Sequence, residues 1–361
     1  MQTHSIGYIH RFINKKEYFP WSGQIDLTYR CNLNCVHCYC KGSEDEQREL
    51  TASEIKTIFN QIYKAGCLFL SLTGGEPLIR KDFLDIYAYA KEKGFIITIF
   101  TNATLFTKEI TAYLKKSPPF RIEITLNGIT QKTYESITQI KGSFLKATDS
   151  IKSLAEAKLP LKIKTNSLKQ NKHEIAGVKK WTEELLGKPS ENKYYFQYDT
   201  MIFPRLNGDK APIQYRLSFE EMIESKKRDP DIWKEYQRGL HGRFPKLKRD
   251  KRFLYNCNSW FSNFFVNPYG RLKFCEFSDK FSVDLKTTPF AKGFYGIFPN
   301  ILKEKFKTDS KCIDCKLRPI CYHCPARAYL ETGSEESPVE HYCQLAKDFN
   351  GEAYNAKKTK I

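Results

Sequence analysis

No stretch of this 361-residue chain approaches the ~18 consecutive apolar residues that a membrane-spanning helix needs. Its first segment, MQTHSIGYIHRFINKKEYFPW, also lacks the uninterrupted apolar run of a signal peptide. Both absences point away from a membrane protein and set a cytoplasmic location as the expectation. Arginine-rich blocks are missing as well. A formal charge of +18 can attract nucleic acid or an acidic peptide, but the 59 Lys and Arg residues are spread along the chain, which favours a generally basic surface and names no partner. Long repeats and low-complexity tracts are absent, apart from a lysine-rich end, NAKKTKI, expected to be frayed.

What is present is cysteine. Twelve cysteines occur in clusters, and in a reducing cytoplasm clustered thiols read as ligands for metal or iron–sulfur centres rather than as disulfides. The densest stretch is CNLNCVHCYC, residues 31–40.

Its position follows from the hydrophobic pattern. Ile25, Leu27 and Tyr29 alternate as in a strand. Thr51 with Glu54 forms a capping box before a helix that carries Ile55, Ile58, Phe59, Ile62 and Tyr63 and stops at Gly66. Strand-like runs follow at 68–72, 96–100, 121–126, 161–165 and 194–199, with helical patterns around 84–93 and starting at Lys108, Ser143 and His173. Alternation of this kind implies a parallel sheet with right-handed crossovers, either open or curled like a barrel. Chemistry then sits on loops at the carboxyl ends of the strands. The cysteine stretch occupies the first such loop and TGGEP, residues 73–77, the second. A charged helical pattern with KKRDPD and KLKRDKR marks a boundary, beyond which Cys257, Cys275, Cys312, Cys315, Cys321, Cys324 and Cys343 appear.

Three thiolates at the spacing of Cys31, Cys35 and Cys38 can hold three corners of an iron–sulfur cube, leaving a fourth iron open to a chelator. Zinc is the alternative, with Cys40 or His37 as fourth ligand. Cys67 falls outside the motif and reads as a core residue.

In order, spacing and strand context, CNLNCVHC and GGEP resemble the CxxxCxxC signature and second-strand motif of the radical S-adenosylmethionine (radical SAM) enzymes. The resemblance implies a partial (β/α)6 TIM-like barrel. In it Cys31, Cys35 and Cys38 hold a 4Fe–4S cluster whose open iron is chelated by S-adenosylmethionine. Reductive cleavage then gives methionine and a 5′-deoxyadenosyl radical that abstracts hydrogen from an unactivated C–H bond. Thr73, Gly74, Gly75, Glu76 and Pro77 are expected around the methionine moiety, with Glu76 accepting from its ammonium group. His37 stands where the family has an aromatic, and is expected against the adenine. TNAT and TLNG resemble the TNG and SLDG loops, which turns Asn102 and Thr125 toward the nucleoside. The arginine often found after SLDG is replaced by Thr138.

The seven C-terminal cysteines, with CIDCKLRPICYHC at their centre, resemble the SPASM domain, a small cysteine-rich unit binding two auxiliary 4Fe–4S clusters. The chain departs from that pattern in having two residues, not three, between Cys321 and Cys324; a zinc knuckle is the alternative. The resemblance assigns Cys312, Cys315, Cys321 and Cys343 to one cluster and Cys257, Cys275 and Cys324 to the other, whose fourth ligand no preceding cysteine provides. The resulting division is an N-terminal extension over 1–20, a radical SAM core over 21–217, a charged helical connector over 218–255, a SPASM region over 256–350 and a basic tail over 351–361.

SPASM proteins usually act on peptides or proteins. The implied activity is maturation of a ribosomally made peptide by thioether formation, carbon–carbon crosslinking or epimerisation, served by a flavodoxin- or ferredoxin-like electron donor. A sulfatase-type maturase is the second reading, with Glu276, directly after Cys275, as base and a surface glutamate as the alternative for that residue. Cofactor biosynthesis of the haem type is the third. A leader-binding domain is not evident at the start of the chain, which weighs against the first. A nucleic-acid-binding iron–sulfur protein is the reading from another class; nucleic acid is not the expected partner.

Overall fold

The structure, a computed structural model, describes residues 19–43, 48–187, 195–242, 250–257, 261–321 and 323–358. Six strands and the helices between them build its main body. Strand β1 (Ser22–Thr28) turns Ile25 and Leu27 to one face and Gln24, Asp26 and Thr28 to the other. It is followed by helix α1 (Ala52–Lys64), β2 (Phe69–Gly74), α2 (Phe83–Glu92), β3 (Ile96–Thr101), α3 (Lys108–Lys116) and β4 (Arg121–Thr125). Then come α4 (Gln131–Thr138), α5 (Ser143–Glu156), β5 (Leu161–Asn166), α6 (Ile175–Leu186) and β6 (Phe196–Asp199). From β1 to β6 each strand pairs in parallel with the next. Their apolar faces, such as Leu72, Ile99, Ile124 and Ile163, are fully buried in the main core.

The cap of α1 forms as its sequence implies. The Thr51 hydroxyl accepts from the Glu54 amide at 3.3 Å while the Glu54 carboxylate accepts from the Thr51 amide at 2.7 Å. Within the main body, helix α4 is the element the hydrophobic pattern misses: of its eight residues only Tyr134 and Ile137 are large, apolar and buried, too few to show a helical period.

The sheet does not stop at β1. Strands β7 (Asn263–Val266), β8 (Arg271–Lys273) and β9 (Val283–Asp284) extend it, giving the order β6-β5-β4-β3-β2-β1-β7-β8-β9. β7 pairs in parallel with β1, so the cysteine-bearing loop after β8 hangs on the same sheet as the loop after β1. Among the described residues β6 and β9 are the open edges, and the barrel is partial.

Helices α7 (Phe219–Lys227) and α8 (Pro230–Gly242) lie in the charged connector. They build a second core with α9 (Pro325–Thr332) and α10 (Glu340–Lys358), in which Phe219, Met222, Tyr236, Tyr342 and Leu345 meet. The end of the chain departs from the expected frayed tail, since α10 runs through Lys358; residues 359–361 and most of the N-terminal extension lie outside the described residues. Among the described residues no helix is long and apolar enough to cross a membrane.

Candidate active site

The carboxyl ends of β1 to β6 converge on a cavity of about 330 Å³. Cys31, Cys35 and Cys38 line it from the loop after β1, Gly74 and Gly75 from β2, Asn102 from β3, Thr125 and Asn127 from β4, Asn166 from β5 and Asp199 from β6. His37 and Thr73 line it too.

The three thiols are close enough to influence one another electrostatically. Burial pushes the Cys31 thiol up to about 11 and the Cys35 thiol higher, and in both the neighbouring thiolates add to the rise. A hydrogen bond with the Cys40 thiol pulls Cys38 down to about 7. Cys31 Sγ accepts from the Leu33 amide at 3.4 Å and from Asn102 Nδ2 at 3.7 Å. A cationic iron–sulfur core fits this donor set, because it relieves the repulsion and takes each thiolate on a different iron. Among the described residues no three ligand side chains converge at single-ion distances, which such a cube does not require.

The GGEP loop is locked to the cysteine loop through backbone. The Gly75 amide donates to Thr28 O at 2.7 Å and the Glu76 amide to Arg30 O at 3.0 Å. A Cβ on Gly75 would stand 2.3 Å from Arg30 O and 2.6 Å from Tyr29 O, so these glycines permit contact between the two loops. Gly75→Ala is expected to cost roughly 3 kcal/mol or more through this clash and to lower the iron bound at Cys31, Cys35 and Cys38. Thermal unfolding and iron analysis read both.

Glu76 is engaged within the protein. It is fully buried outside the cavity lining, as is Pro77, and its carboxylate accepts from the amides of Leu78 (3.1 Å) and Asn102 (2.7 Å) and from the Thr101 hydroxyl (2.8 Å). Burial pushes its carboxyl up to about 7, against the pull of those donors. The residue is a brace behind the cavity wall. Asn102 is also engaged within the protein: Nδ2 donates to Asn32 Oδ1 at 3.0 Å, and Oδ1 accepts from the Thr104 amide at 2.9 Å.

His37 is buried, and burial holds its imidazole down to about 4, so it is neutral. Its Nε2 lies 3.4 Å from Asn127 Nδ2, while Nδ1 has no partner among the described residues. Thr138 lines the cavity with its hydroxyl 2.8 Å from that of Ser143. Cys67 packs in the main core.

The C-terminal thiols fall into two sets. Cys257, Cys275 and Cys324 lie within electrostatic reach of one another, and so do Cys312, Cys315, Cys321 and Cys343. Burial pushes Cys275 up to about 12, with Cys324 adding to the rise. Glu276 is not a surface residue. It is 8% exposed, accepts from Gln24 Nε2 at 3.2 Å and takes a hydrogen bond from Tyr39, a cavity-lining residue. Burial raises its carboxyl, and the nearby Asp26 on β1 raises it further.

Several cavity residues escape sequence reasoning. Asn166 and Asp199 carry a weak signal, being the last residues of strands β5 and β6. Phe203 and Phe277 carry none, since they come from loops 74 residues apart and pack on each other at 5.2 Å between ring centres.

Comparison with known proteins agrees with this architecture. Residues 25–184 match the radical SAM superfamily model. The AdoMet-dependent heme synthase of Methanosarcina barkeri is 26% identical over 343 residues, which cover 88% of this chain and 94% of that protein. The antilisterial bacteriocin subtilosin biosynthesis protein AlbA of Bacillus subtilis is 23% identical over 267 residues, covering 73% of this chain and 57% of AlbA. In fold, the chain resembles the crystal structure of Streptococcus suis SuiB bound to precursor peptide SuiA, with a TM-score of 0.70 at 18% identity over 94% of this chain and 80% of SuiB. With its cysteine loop, glycine loop and strand ends arranged around one cavity, this chain carries a radical SAM domain over residues 25–184, the domain of enzymes that use S-adenosylmethionine and an iron–sulfur cluster.

Proposed function

We propose that this enzyme matures a ribosomally made peptide, forming a thioether, a carbon–carbon crosslink or an epimer. Cys31, Cys35 and Cys38 hold the SAM-binding 4Fe–4S cluster; Gly74, Gly75, Thr73, Thr125, Asn102 and His37 form the cradle beside it. When bound, the cluster and SAM together supply reductive sulfonium cleavage and hydrogen abstraction from an unactivated C–H bond. Cys312, Cys315, Cys321 and Cys343 hold one auxiliary cube, and Cys257, Cys275 and Cys324 hold the other with one position left to a different ligand. Glu276 is the candidate base, its raised carboxyl reaching the cavity through Tyr39.

The observation that supports this reading most is the cavity's placement. Its lining joins the cysteine loop to Phe277, two residues beyond Cys275, and Tyr39 of that loop packs on Phe277 at 5.6 Å between ring centres. A substrate lodged there lies beside the loops that carry Cys38 and Cys275. The solved SuiB complex carries a precursor peptide on the same fold. A flavodoxin- or ferredoxin-like donor and a cytoplasmic location complete the proposal, the latter in keeping with twelve free cysteines.

Haem-type cofactor biosynthesis is the second reading, favoured by the heme synthase relative whose whole length this chain nearly spans. One experiment separates the two. Anaerobic incubation with SAM and dithionite is expected to yield 5′-deoxyadenosine, and co-expression with a peptide encoded beside the gene to change that peptide's mass or its deuterium content in heavy water. No 5′-deoxyadenosine from a fully cluster-loaded protein rejects both readings. Conversion of an iron porphyrin while the peptide stays intact selects the second.

A further inference from the structure

Arg327 is the third residue of α9, three positions after Cys324. Its guanidinium carbon lies 3.6 Å from the ring centre of Phe203 and 4.9 Å from that of Phe277. Both rings line the cavity, and Phe277 follows Cys275 by two residues. Arg327 therefore stands behind the aromatic wall, where the loop after Cys275 meets the helix after Cys324.

Its charge is unusual for a half-buried arginine. Among the described residues no carboxylate lies within ion-pair distance of it, and its buried Nε has no hydrogen-bond partner. Arg216, on the same side of the molecule, is by contrast paired with Glu331 at 2.7 Å. A cation withdrawn from water needs an anion or polarisable neighbours. The rings provide part of that through their faces. The groups nearest Arg327 that become anionic on binding a metal centre are the thiols of Cys324, three residues before it on the chain, and of Cys275, two residues before the Phe277 ring that it covers.

We propose that Arg327 is the counter-cation of the auxiliary cluster held by Cys257, Cys275 and Cys324, and that it raises the reduction potential of that cluster. The inference rests on the reading that these three cysteines hold a cluster. One-electron reduction adds a negative charge to the centre, so a fixed neighbouring cation favours the reduced form. The effect is strengthened where aromatic rings keep water away. The other set lies beside a different cation: Arg318 is within reach of Cys312, Cys315 and Cys321, and donates to the backbone carbonyls of Lys251 and Phe253. Each set thus has its own arginine, and Arg327 acts on the cluster of Cys257, Cys275 and Cys324 alone. It acts through the cluster as a positioning charge and touches no reacting atom.

The test uses the full chain with Cys31, Cys35 and Cys38 replaced by alanine, reconstituted anaerobically so that only auxiliary clusters remain. Mediated redox titration followed by electron paramagnetic resonance gives the two auxiliary potentials. Arg327→Gln, neutral but planar, is expected to lower one of them and leave the other in place. Arg327→Met, neutral and suited to a site between two rings, repeats that measurement should the Gln variant lose iron. Arg327→Lys is expected to keep the native value. Unchanged potentials in the neutral variants overturn the proposal, and so does an equal fall in the Lys variant, which would assign the effect to packing. Iron for only one auxiliary cube in the Arg327 parent overturns the cluster reading itself, and with it this inference.

Discussion

Replacing any one of Cys31, Cys35 or Cys38 by alanine will abolish 5′-deoxyadenosine formation while sparing the C-terminal sites. All three thiols face one cavity, and they act as a unit because loss of one corner leaves a cube too weakly held to present its open iron. The C-terminal sets come from β8, α9, α10 and the loops beside them, so none of their thiols lies on the loop after β1. Iron analysis after anaerobic reconstitution should fall from about twelve per chain to about eight, the complement of two cubes. In the Cys31 variant the stability of the cluster-free protein should change little, since that thiol accepts only two long hydrogen bonds. Residual SAM cleavage in a variant with eight irons would refute the assignment.

Glu76→Ala will unfold part of the site rather than merely weaken a ligand contact. The substitution strands the Leu78 amide, the Asn102 amide and the Thr101 hydroxyl in a fully buried place. At ~1 kcal/mol or more for each orphaned donor, the loss is roughly 3 kcal/mol, or on the order of 5 °C in melting temperature. Glu76→Gln should cost less, though its amide must set an N–H group against one of those donors. SAM affinity falls as a consequence, because the Asn102 amide is anchored by Glu76 while its side chain bonds Asn32 and Cys31. Calorimetry without SAM distinguishes this role from direct contact with the ligand. A variant that melts like the parent yet binds SAM poorly would restore the ammonium-binding role and discard the brace.

The sequence by itself determined the six strands of the main body, most of the helices between them and the place of the first site. Alternation in runs such as Ile25, Leu27 and Ile97, Ile99 is a local property of a half-buried strand, and the Thr51–Glu54 box is written within four residues. The ligand spacing of Cys31, Cys35 and Cys38 is equally local, as is the run of glycines that lets the second loop approach the first.

Tertiary structure decided what depends on distant chain segments. The direction of Glu76 is one case: the motif names the residue, yet only the packing of β3 behind it shows that its oxygens are already taken. The environment of Glu276 is another, since Gln24 lies 252 residues away and burial, helped by Asp26 on β1, turns a loop carboxylate into one with a raised pKa. The pairing of β7 with β1, and the meeting of Phe203, Phe277 and Arg327, likewise leave no trace in local pattern. Periodicity reports which face of an element is buried, because that preference acts over a few residues. Which buried faces and loop ends meet is fixed by closing the chain over hundreds of residues, and no short-range pattern carries that information.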